Sequence, residues 1–160
     1  MSLWRQLMEW FTQVSGAVPQ NDYPSWLAIA ESQMGTCEID GPLANQIIKD
    51  YHAATSLKAV SDEVPWCSSF VNWAMGKAGI KGTNSAAARS WEKWGVEDKP
   101  PKIGSVAVLS RGSNPTLGHV GFFMGYVTGK KVSILGGNQG DCVSIDNFPA
   151  SRVVTFRWPK

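Results

Sequence analysis

The sequence predicts an α+β domain in which helices come first and a mostly antiparallel sheet follows. Apolar residues recur at helical spacing through the first half. Runs rich in β-branched and aromatic residues take over after Pro100-Pro101, and no repeat or low-complexity linker parts the halves. With 160 residues, 43% of them hydrophobic, a single domain over 1–160 is expected to bury a core without disulfide staples.

The elements follow in order. Leu3, Leu7, Trp10 and Phe11 fall on one helical face, so residues 1–20 read as an amphipathic helical extension packed on the core. Pro24 to Met34 reads as a helix with Pro24 in its first turn and Gly35 as its stop. Another is expected from about Pro42 to Thr55, with Leu43, Ile47, Ile48 and Tyr51 inward and His52 on the exposed-looking side. A further helix begins near Cys67, with apolar Trp66, Phe70, Trp73 and Ala74, and ends at Gly76 or Gly79. A short helix spans Ser85 to Trp94. Four strands, at 105–110, 119–124, 132–135 and 153–157, then suggest a meander, with Thr128-Gly129-Lys130 as a hairpin turn.

Composition excludes several functions. The net charge of +2 comes from scattered Lys and Arg with no polybasic stripe, so no nucleic-acid partner is expected. No apolar run approaches the roughly 20 residues of a membrane span, which argues against stable insertion. The N-terminus lacks the order of a secretory signal, so synthesis as a soluble cytoplasmic protein is the expectation. Three cysteines, an odd count with no C-x-x-C pair, argue against both a disulfide framework and a thiolate zinc site. Cys37 and Cys142 therefore read as unreactive thiols. His52 and His119 are too few and too far apart for a metal cluster, and neither metal nor cofactor is expected.

The remaining chemistry centres on Cys67. A thiol attacks a carbonyl as thiolate, and a helix N-terminus, with unpaired N–H groups and a favourable dipole, lowers its pKa. Those N–H groups would also serve a developing oxyanion. His119, opening a strand in Gly118-His119-Val120-Gly121, is the candidate base: a neutral imidazole can take the thiol proton and pass it to a leaving amine. Alternation places His119, Gly121 and Phe123 on one face and Val120, Phe122 and Met124 on the other. Asn138, after Gly136-Gly137 on the next strand, is the candidate to orient the ring through its amide carbonyl, although Asn after Gly-Gly is also a turn signal.

Asp62 to Asn72, Ser85 to Trp91, Gly118 to Phe122 and Leu135 to Gln139 together resemble the NlpC-type and CHAP superfamily of papain-like cysteine peptidases and amidases, in its short phage-endolysin-like branch. The resemblance, which runs from about Pro24 to the C-terminus, implies N-terminal helices packed on the sheet and a Cys67, His119 and Asn138 centre. It also implies hydrolysis of peptidoglycan amide bonds by a monomer acting on stem peptides. Many CHAP members carry an acid two positions before the asparagine, where this chain has Gly136. Asp62, Glu63, Trp66, Trp91 and Gln139 are candidate substrate-binding residues. Against this, Asp62 and Glu63 could be helix-dipole partners and the tryptophans core. An enzyme without an export signal would reach the wall through a phage holin and lysis, or by injection as an antibacterial effector with an immunity protein. An acyltransferase, or a wall-binding module without turnover, are the other readings.

Overall fold

The computed structural model describes residues 23–41 and 43–160; the amphipathic segment predicted over 1–20 lies outside them. Helix α1 (Ser25–Glu31) starts after an extended Pro24 and stops before Gly35, whose φ of 84° suits a residue without a side chain. Helix α2 (Gln46–Ala53) is shorter than predicted because Asn45 caps it, its side chain accepting the Ile47 N–H at 2.9 Å. Its buried residues are Ile48, Tyr51 and His52, while Leu43 and Ile47 face solvent. His52, expected outside, is fully buried, with Nδ1 3.0 Å from Ser69 Oγ on the next helix. Helix α3 (Cys67–Lys77) begins at the predicted cysteine. The segment expected as a short helix is a 3-10 helix, Ala88–Lys93.

The sheet has six strands: β1 (Val96–Glu97), β2 (Val106–Ser110), β3 (Gly118–Val127), β4 (Lys131–Gln139), β5 (Cys142–Pro149) and β6 (Val153–Trp158). Their order is β1-β6-β2-β3-β4-β5 and every pairing is antiparallel. The four predicted strands are present, but they do not form a simple meander. β6 lies beside β2, and β5 pairs with β4 at the other edge. β5 escaped prediction because Asp146, Asn147 and Pro149 interrupt its apolar alternation. The predicted hairpin joins β3 to β4, with Gly129 and Lys130 at positive φ in the turn.

Alternation gives the sheet two apolar faces. Val106, Val108, Val120, Phe122 and Leu135 pack against α1, α2 and α3, with Trp66 and Trp91 in the same core. Ala107, Leu109, Phe123, Val132, Ile134 and Phe156 form a smaller cluster on the other face.

Cys37 and Cys142 form a disulfide, contrary to the expectation from their odd count. The third cysteine, Cys67, is the free one, which explains the count. The bond ties the loop after α1 to the first residue of β5, and that loop also gives the Glu38 N–H to the Asp141 carbonyl at 2.9 Å.

Candidate active site

α3 aims its first turn at the sheet where β3 and β4 part. Pairing between those strands reaches Phe122↔Leu135 and continues no further toward the start of β3. The Val120 N–H, left without a β4 partner, faces the Cys67 sulfur together with the Ser68 N–H. The thiol therefore sits at the residue next to His119, in the gap between the two strands.

Burial dominates the electrostatics of the thiol. Cys67 is 7% exposed, and desolvation pushes its pKa up despite the Val120 and Ser68 N–H groups and the positive charge of Arg111, all of which favour thiolate. The helix start was expected to win this balance, and it does not. His119 is 3% exposed and pushed down to about 4. Desolvation is the main cause, opposed by a Gln139 hydrogen bond and reinforced by Arg111 and Arg152. The resting site is thus a neutral thiol beside a neutral imidazole, not an ion pair. No hydrogen bond joins the two among the described residues.

The partner of the imidazole is Gln139. His119 Nε2 lies 2.9 Å from Gln139 Oε1. The Gln139 amide nitrogen donates to Ser144 O at 2.8 Å and Ile134 O at 3.3 Å, and carbonyls only accept, so the amide orientation is fixed with its oxygen toward the ring. His119 must then donate from Nε2, and the neutral ring keeps its lone pair on Nδ1. That tautomer can accept a proton at Nδ1. The ring also lies against Phe148, centroids 5.3 Å apart.

The two glycines before Asn138 explain why Gln139 can reach. A Cβ on Gly136 would stand 2.6 Å from Gln139 Oε1 and 3.1 Å from His119 Nε2, so the side-chain amide of Gln139 fills the space above that glycine. A Cβ on Gly137 would stand 2.5 Å from the Trp66 ring and 2.9 Å from Phe70 Cβ, which lets α3 approach β4. Pairing between β4 and β5 breaks register between Gly136 and Gln139, and this irregularity turns Gln139 toward His119.

Asn138, expected to orient the imidazole, has another partner. At φ 57° it sends its amide nitrogen to Glu38 Oε1 at 2.9 Å. The same oxygen accepts Trp66 Nε1 at 2.8 Å, so Glu38 links the β4 bend to the residue before Cys67. Burial, the largest influence on Glu38, raises its carboxyl pKa.

The other expected substrate contacts divide. Asp62 is buried and accepts the Ile39 and Asn45 N–H groups at 2.9 and 2.7 Å, so it anchors the loop before α2 and cannot meet a substrate amine. Burial alone would raise its pKa, but these bonds hold it below the usual carboxylate range. Trp66 and Trp91 are fully buried and belong to the core, not to a groove. Trp91 Nε1 donates to Ser68 Oγ at 2.9 Å, and Ser68 donates to the Ser85 carbonyl at 2.6 Å, bracing the back of α3. Glu63 stays exposed.

A cleft of about 470 Å³ opens over the imidazole, walled by His119, Asn138, Gln139, Arg111, Asp146, Phe148 and Arg152. Glu38, Arg111 and Arg152 were not singled out from the sequence; nothing local marks them, since β2, β5 and the β5–β6 connection bring the cleft residues together through pairing. Among the described residues no group of His, Cys, Asp and Glu has the arrangement of a metal site.

A free thiol at the start of a helix, set against the backbone of a strand that opens on a histidine in an antiparallel sheet, matches a papain-like α+β architecture. The CHAP domain family model matches residues 59–138, half of the chain, and the chain belongs to that family. No curated protein matches it. Among solved structures, a lipoprotein-like protein of the NLP/P60 family from Staphylococcus aureus aligns at 14% identity with a TM-score of 0.51. The alignment covers 98% of this chain and 48% of that one, so this chain spans about half its length. The P60 domain of a Mycobacterium avium paratuberculosis antigen aligns at 16% identity and TM-score 0.47, over 84% and 90% of the two chains. RipD of Mycobacterium tuberculosis, described as a non-catalytic NlpC/p60 domain protein adapted to peptidoglycan binding, aligns at 15% identity and TM-score 0.44, over 82% and 92%.

Proposed function

We propose that the protein hydrolyses amide bonds of peptidoglycan stem peptides with Cys67 as nucleophile and His119 as base. The observation that carries this is the His119 tautomer: the Gln139 contact leaves Nδ1 as the ring's proton acceptor, and Cys67, free and at a helix start, lies against the backbone N–H of the next residue, Val120. Membership of the CHAP family supplies the substrate class.

The chemistry runs as acyl transfer to water. Cys67 gives its proton to His119 as its sulfur attacks the amide carbon, since a neutral pair must transfer the proton during attack or on substrate binding. N–H groups at the start of α3 receive the oxyanion. The protonated ring passes its proton to the leaving amine, and His119 then draws a proton from the water that cleaves the thioester. Gln139 acts as the positioning residue, in place of Asn138.

The resemblance to short endolysin-like CHAP proteins supports a lytic role for a phage or prophage, with an injected effector as the second reading. The Cys37–Cys142 disulfide fits action outside a reducing compartment. Mass spectrometry of purified muropeptides tests the proposal. Wild-type protein should release fragments with new amino termini and Cys67→Ala none; an unchanged digest with wild type, or cleavage by Cys67→Ala, would refute it.

A further inference from the structure

Every charged side chain on the cleft wall apart from Asp146 is an arginine, and the two arginines come from different strand ends. Arg111 follows the last residue of β2 and is exposed; Arg152 closes the 3-10 turn before β6. Arg152 is held in place: its Nε donates to the Ser110 carbonyl at 2.9 Å, and its guanidinium lies over the Phe148 ring, 5.2 Å from the centroid. Because Ser110 precedes Arg111, this bond fastens the Arg152 side chain to the backbone next to Arg111, and both residues line the cleft. Among the described residues neither arginine forms an ion pair, and Asp146, the only acid on the wall, is within ion-pair distance of neither. His119 adds no positive charge near neutral pH.

We propose that Arg111 and Arg152 make the cleft over His119 a receptor for a carboxylate carried by the substrate beside the scissile amide. A guanidinium fork matches the plane of a carboxylate and donates to both oxygens, and its free edge here is otherwise unpaired. The arrangement selects stem peptides whose side-chain or α-carboxyl group is free over those in which it is amidated. This rests on the hydrolase reading above and adds to it which peptides are cut.

Two synthetic stem peptides that differ only in carboxylate or carboxamide at the residue next to the scissile bond test this. Wild-type protein should favour the carboxylate peptide about tenfold or more in kcat/KM, a difference of about 1.4 kcal/mol. Arg111→Gln should bring the ratio to within about threefold of unity, since the charge it loses is the charge read. Arg111 also favours the thiolate, so both peptides should be cut more slowly by this variant; the ratio, not the rate, is the readout. Arg152→Gln should lower the ratio likewise, and Arg111→Gln, at an exposed position without hydrogen-bond partners among the described residues, carries the test if Arg152→Gln does not fold. Equal cleavage of both peptides by wild type, or an unchanged ratio in Arg111→Gln, overturns the proposal and leaves the hydrolase reading standing. If wild type cuts neither peptide, the hydrolase reading falls, and calorimetry on Cys67→Ala decides for the cleft. Tighter binding of the carboxylate peptide, lost on adding Arg111→Gln, sustains it; equal binding of the two overturns it.

Discussion

Replacing Gln139 by Ala isolates what positions the His119 ring, the proposed base. The side chain accepts from His119 Nε2 at 2.9 Å and donates to Ser144 O and Ile134 O, all in a buried setting. Truncation orphans the imidazole N–H, and an unsatisfied buried donor costs about 1–3 kcal/mol. With the two carbonyls also losing a donor, global stability should fall by about 2–4 kcal/mol. The ring also loses what selects its tautomer, and about 1.5–3 kcal/mol of transition-state stabilisation corresponds to roughly 10–150-fold in kcat/KM. Asn138→Gly is the matched control, because glycine tolerates the 57° φ and only the Glu38 bond is lost; a drop of less than about fivefold is expected. Gln139→Glu separates positioning from mere packing. A carboxylate there keeps the acceptor but raises the His119 pKa, so the acidic limb of the kcat/KM profile, near pH 4 in wild type, should move upward. Steady-state cleavage across pH 3–9, approximately, with circular dichroism melts of each variant, measures all three. The reasoning fails if Gln139→Ala keeps wild-type kcat/KM while Asn138→Gly loses most of it.

Other outcomes follow from the same contacts. His119 titrates near 6.5 in an unfolded chain and about 4 in the folded one, so its contribution is complete above pH 6.5 and lost as pH falls through 4. It amounts to about 3 kcal/mol, and urea melts should show a slope over that window that His119→Gln flattens. In the free protein Cys67 should react slowly with iodoacetamide at neutral pH and faster only above the ordinary thiol range, because burial holds the thiol protonated; rapid alkylation at pH 6 would contradict this. Reducing the Cys37–Cys142 bridge, which closes a separation of 105 residues, should cost about 4–5 kcal/mol by loop entropy, read as a lower urea midpoint in reductant. Asp62→Ala should lose about 2–3 kcal/mol from the two N–H groups it leaves unpaired. Its KM for stem peptides should stay unchanged; a large KM rise would return Asp62 to the substrate.

The parts of this molecule visible in the sequence are those whose signal is local. The start of α3 at Cys67, the strand at His119 and the hairpin near Gly129 each follow from spacing or turn chemistry within a few residues. The elements that carry Cys67 and His119 were legible for that reason. The partner of the imidazole was not: Asn138 and Gln139 are neighbours, and only the irregular pairing of β4 with β5 decides which one reaches the ring. The disulfide was hidden because partner choice across 105 residues depends on tertiary pairing, while an odd count argued against it. Trp66, Trp91 and Asp62 looked available to substrate because composition carries no measure of burial at a given site. Edge strands β1 and β5 were missed because one is two residues long and the other carries polar residues where alternation would ask for apolar ones.

The most direct measurement is capture of the acyl-enzyme. Wild-type protein mixed with a purified muropeptide, quenched in acid during turnover and mapped by mass spectrometry, should carry the acyl fragment as a thioester on Cys67 and on no other residue. Turnover with Cys67 unmodified, or an adduct at a different side chain, would contradict the mechanism at its root.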